Sequence, residues 1–245
     1  MKRISIRQAG LTLGLTVSTI GLALAPASAL AAAKSTSATS ATDQAKLKLI
    51  INRGNNEITR RLATLKTLSS KISGATKLTA DDKTSLSGEV NDETSGLTAL
   101  QTKLDADTTV ADARTDAQSI ISGYRVYALI VPKVNLIKTA DDQQVAEGKL
   151  AALAPKLQSR ITAAQAAGKT VTSLQSGLTD LNKQTAAAQV ISSKIEASVV
   201  GLQPSDFNSD HTILSGDRDQ LKTAQNEIQA AVSDATTIVS GLKNL

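Results

Sequence analysis

The chain has 245 residues, 41% of them apolar, with one His, no Cys, no Trp and three aromatic rings (Tyr124, Tyr127 and Phe207). Without Cys there is no disulfide framework, thiolate nucleophile or Cys-ligated metal. One His cannot furnish a zinc site, and three rings make no stacking platform for bases or sugars. Its 27 basic and 22 acidic residues give a net charge of +5.

Lys2, Arg3 and Arg7 precede an uncharged run from Ala9 to Pro26, and Ala27-Ser28-Ala29 follows with small residues at the outer positions. This is the pattern of a secretory signal peptide, predicted over 1–29. Its removal leaves 24 basic residues against 22 acidic ones, a net charge of +2. A near-neutral chain poor in aromatics is not expected to bind nucleic acid. Residues 30–42 end in the Ser/Thr/Ala run KSTSATSAT and read as a flexible linker.

From Asp43 to the C-terminus (43–245) the apolar spacing is three, four and seven, and strand alternation is missing. The first helix is predicted over 43–74, with Ile51, Ile58, Leu65 and Ile72 seven apart. Thr79-Ala80-Asp81-Asp82 is a capping sequence that opens a second helix with the seam Leu86, Val90, Leu97, Leu100 and Leu104. Thr109-Val110-Ala111-Asp112 caps the third. Its stretch 120–131 is apolar almost all round, the mark of a helix buried on every side. Pro132 is expected to kink it, Thr139-Ala140-Asp141-Asp142 offers a restart, and Pro155 offers another break, so continuity over 110–167 is left open. Next comes the cleanest seam: Val171, Leu174, Leu178, Leu181, Thr185, Ala188, Ser192, Ile195 and Val199. A last helix is predicted over 210–242. The fold class is therefore all-α: an elongated antiparallel bundle of five or six long helices with coiled-coil-like seams.

Charge divides the first hairpin. Residues 43–77 hold eight basic and two acidic side chains; residues 78–107 hold two basic and seven acidic. The expectation is direct pairing between these neighbouring helices.

Asp206, Asn208, Asp210 and Asp217 stand at positions 1, 3, 5 and 12 of a calcium-loop pattern similar to EF-hands and dockerins. His211 replaces the Gly of position 6, so these residues are expected to cap a helix instead. Tyr124 and Tyr127, one turn apart, are expected in the core. Asp81-Asp82 and Asp141-Asp142 are adjacent on their helices and do not face one another, so both pairs read as partners of helix dipoles. No nucleophile has a base beside it in sequence. No catalytic, cofactor or metal residue is assigned.

Two stretches, RTDAQSIISGYRVYALIVPK (114–133) and GLQPSDFNSDHTILSGDRDQLKTA (201–224), resemble segments of secreted helical proteins of candidate-phylum bacteria (Saccharibacteria and relatives). The resemblance implies a bacterial exported protein and brings no activity with it. The functional expectation is an exported, non-enzymatic structural or interaction module of the cell envelope, with a protein partner at the cell surface and no cofactor. The alternative is a membrane-active helical protein, pore-forming or lipid-binding, acting through 126–137.

Overall fold

The computed structural model describes residues 40–245. The expected signal peptide and nearly all of the linker lie outside these residues. Every regular element described is helical: α1 (Ala41–Gly74), α2 (Ala80–Asp105), α3 (Val110–Ser122), a π-helical turn (Val126–Ile130), α4 (Val131–Ala166), α5 (Thr172–Val199), the short α6 (Pro204–Ser209) and α7 (Asp217–Lys243). The chain is an all-α bundle, as its periodicity requires.

Caps fix the first three starts. The hydroxyls of Ser40, Thr79 and Thr109 each accept the backbone N–H three residues on, of Asp43, Asp82 and Asp112. Those three acids lie in the first turn, where the helix dipole favours negative charge. Ala41 and Thr42, expected in the linker, are already helical because Ser40 takes the cap.

α1 and α2 form an antiparallel hairpin, and α3 with the start of α4 lies beside it. The second half of α4 packs with α5 and α7 in the same manner. All eight seam residues of α5 from Leu174 to Val199 are its buried residues. Two apolar cores result. One joins α1, α2, α3 and the start of α4; the other runs from Leu150 to Ile161 of α4 into α5 and α7. Ile195, Val199 and Leu221, from α5 and α7, belong to the first core, so the two sets of helices overlap along the first third of α4. Burial of the apolar stretch on every side is met only in part: Val126, Leu129, Ile130, Val134 and Ile137 enter the first core, whereas Tyr127 is exposed.

The break before α4 differs from the expected one. Pro132 sits in the first turn of α4, where a missing N–H is cheapest. The turn itself is made upstream. Arg125 adopts a left-handed conformation (φ 44°), and its carbonyl accepts from Leu129 and Ile130. Val131 then donates to Val126 to close the π turn. From Val131 to Ala166 the helix is continuous, through both Thr139 and Pro155. Thr139 is no cap; its hydroxyl donates to the Asn135 carbonyl one turn back. The last helix is likewise shorter than expected. α6 and a turn intervene, and α7 begins at Asp217 after Gly216 (φ 84°).

Expected pairing between α1 and α2 is not made. Among the described residues no ion pair joins these helices. Arg60 and Arg61 bind Glu57 of their own helix, Lys77 lies 3.8 Å from Asp142 of α4, and Glu89 of α2 pairs with Lys133 of α4. Seven of the eight bases of α1 and its flank are solvent-facing, whereas Asp82 and Glu93 of α2 turn inward toward α4.

Candidate functional site

The first half of α4 concentrates buried polar groups: Lys133, Asp141, Gln143 and Glu147. Charged side chains are seldom fully buried without partners, so each position calls for an account.

Lys133 is 1% exposed. Its ammonium donates to Glu89 Oε1 of α2 at 2.9 Å and to the Leu202 carbonyl, just beyond α5, at 2.8 Å. The pair thus ties the N-terminal hairpin to the end of α5. One turn on from Glu89, Glu93 occupies a seam position of α2. Burial first, then the charge of Glu89, push its carboxyl up to about 8, and Lys133 opposes them. Its Oε2 is buried without a hydrogen-bond partner.

Two turns further along α4, the two copies of Thr-Ala-Asp-Asp meet. Asp141, from the second copy, accepts the backbone N–H of Thr79, in the first, at 2.8 Å through Oδ2. Asp82, also from the first copy, and Glu196 of α5 complete a triad whose carboxylate oxygens lie within 4.8 Å of one another. Thr79 holds Asp82 through its hydroxyl, and the Gln144 amide donates to Glu196. Burial is the main cause that pushes Asp141 up to about 6, and the charges of Asp82, Glu196 and Asp142 add to it. Asp142 points elsewhere and takes Lys138 (2.6 Å) and Lys77. The expectation that Asp141 and Asp142 begin a helix is therefore corrected: they stand inside α4 and divide between two kinds of partner.

The residues singled out in the calcium-loop pattern are not brought together. Asp206, at the third position of α6, accepts the Gln203 backbone N–H (2.8 Å). Asn208 accepts from Arg125 Nε (2.6 Å) and donates to the Ser122 carbonyl (2.7 Å), so it clips α6 onto the turn before α4. Asp210 accepts from the Thr212 N–H (2.8 Å) and hydroxyl. Asp217 is buried in the first turn of α7. His211 lies with its ring centre 5.2 Å from that of Phe207, the two rings tilted by 49°. Capping and turn-closing thus occupy three of the four. Asp206→Ala removes one exposed hydrogen bond and is expected to cost about 0.5–1.5 kcal/mol in urea denaturation, with or without calcium; a cost seen only with calcium would contradict this assignment.

Of the two tyrosines only one behaves as expected. Tyr124 is half-buried against Gly96, where an added Cβ would come 2.6 Å from its ring. Tyr127 is 49% exposed, with the guanidinium of Arg61 5.1 Å from its ring centre. Three residues apart on an α-helix they would share a face. The left-handed Arg125 and the π turn change the phase between them.

The triad was not legible from spacing, because its members come from three helices. One signal pointed toward it: Thr-Ala-Asp-Asp occurs twice, and only the first copy follows a helix break. Compared with known proteins, the chain matches no family model, no curated protein and no solved structure.

Proposed function

We propose that this is an exported, non-enzymatic helical protein that serves as a structural or interaction module of the bacterial cell envelope. The observation that carries this reading is the use of α4 by both sets of helices. A 36-residue helix extends about 54 Å at 1.5 Å per residue. Sharing it welds two short bundles into one continuous body, an economical way to build a spacer. At the overlap Lys133 and Gln143 join helices by donating to the carbonyls of Leu202 and Leu221. The signal-like pattern of residues 1–29 supports export.

The test is fractionation of a producing bacterium followed by N-terminal sequencing. The protein is expected outside the cytoplasm, with its first residue between Leu30 and Lys34. Cytoplasmic material that keeps Met1 overturns the reading.

The membrane-active alternative draws on one observation. The helical run 110–166 contains a window long and apolar enough to cross a bilayer. Its residues Val126, Leu129, Ile130, Val134, Leu136 and Ile137 are core residues of the bundle. Insertion would require their release from that core and would leave Lys133 in hydrocarbon, a costly place for a charge.

A further inference from the structure

Three carboxylates converge between α2, α4 and α5 without a basic partner among the described residues. At Lys133 the fold supplies an ammonium to Glu89. At Asp82, Asp141 and Glu196 no Lys or Arg among the described residues comes within ion-pair distance. The nearby Lys77 and Lys138 are both held by Asp142.

A second observation is independent of the clustering. Asp141 is 1% exposed. One of its oxygens is satisfied by Thr79, but Oδ1 is sealed from solvent and has no hydrogen-bond partner. A carboxylate oxygen sealed in this way loses its hydration with nothing in return, unless a cation supplies it.

We propose that Asp82, Asp141 and Glu196 form a divalent-cation site, suited to calcium, where α2, α4 and α5 meet. The donors are all oxygen, the preference of a hard cation. Calcium–oxygen bonds of about 2.3–2.6 Å allow two ligands to stand at most about 4.6–5.2 Å apart. The triad's oxygens, all within 4.8 Å of one another, are close enough to share one such ion. Glu196 is only partly buried and provides the way in from solvent. Thr79 and Gln144 hold the ligands in place from behind, as outer partners do at metal sites. The site lies apart from the 206–217 segment and does not depend on the envelope reading.

Titration calorimetry of chelator-stripped protein with calcium chloride at neutral pH tests this, together with thermal melts. The expected result is one calcium per chain and a melting temperature that rises with calcium, since a ligand of the folded state stabilises it. Loss of an outer partner alone typically weakens a metal site by about 10–100-fold. Asp141→Asn and Glu196→Gln, which remove ligand charge, are therefore expected to lower affinity about tenfold or more. Asp206→Ala is expected to leave calcium binding unchanged. Glu196 stands at the rim, so Glu196→Gln decides the matter if Asp141→Asn does not fold. The proposal is overturned by any of three results: no heat and no melting shift in millimolar calcium, binding that survives Glu196→Gln at full strength, or binding abolished by Asp206→Ala.

Discussion

Leu178→Asp is expected to lower stability by about 4 kcal/mol or more, close to loss of the fold for a protein of ordinary stability. Leu178 is 2% exposed and sits in the middle of the α5 seam, within the core shared with α4 and α7. Two costs add at that position: the lost burial of a Leu side chain, and a carboxylate placed where no donor waits. Val190 is the control. It lies on the same helix but is 68% exposed, and Val190→Asp is expected to change stability by no more than about 0.5 kcal/mol. Urea denaturation followed by far-ultraviolet circular dichroism compares the two. Equal effects would mean that the seam faces the wrong way.

Lys133→Ala is expected to cost about 3–5 kcal/mol, the range for breaking a buried pair by removing one partner. The substitution strands Glu89 and removes the one cation that opposes the upward push on Glu93. The direction with pH follows from that carboxyl. Its value of about 8 in the folded protein exceeds the ordinary 4.5 of the unfolded chain, so ionisation disfavours the fold. Its contribution is complete below about pH 4.5 and is lost as pH rises through about 8, at no more than about 1.4 kcal/mol per pH unit. The groups that set this balance are Glu89, Asp92 and Lys133. Stability measured at about pH 6 and about pH 9 should therefore fall in the wild type, fall further in Lys133→Ala and stay nearly level in Glu93→Gln. A Glu93→Gln protein with the wild-type slope would show that another group titrates.

Much of the fold could be read from spacing because its helices are long and their seams regular. Leu174 to Val199 follows the three-four pattern without a break, and such a stripe has few ways to be buried. Capping threonines marked two starts correctly, those of α2 and α3, since the hydroxyl and the acid three residues on act locally; Thr139 carried the same signal and starts nothing. What could not be read was the relation between helices. The bases of α1 and the acids of α2 are neighbours in sequence and in space, yet their side chains point to different places. Rotation about a helix axis decides that, and charge counts carry no rotation. The same limit hid the triad. Asp141 resembles a cap by its neighbours and becomes a core ligand only because α2 and α5 close over it. Glu93 was the readable exception: it stands at the step between Val90 and Leu97 where the seam of α2 calls for an apolar residue.

Ile191 of α5 packs against both apolar cores, and α4 runs through the two of them. Local melting therefore has no natural boundary inside the molecule. Opening the α1–α2 hairpin bares the start of α4, and freeing α7 bares the same turns from the other side. Amide hydrogens between Val134 and Gln143 should exchange with solvent only when the whole bundle opens, whereas those of α6, held by a few exposed side-chain bonds, exchange through brief local excursions. A lesion at one end of such a body is felt at the other as a change in lifetime rather than in shape.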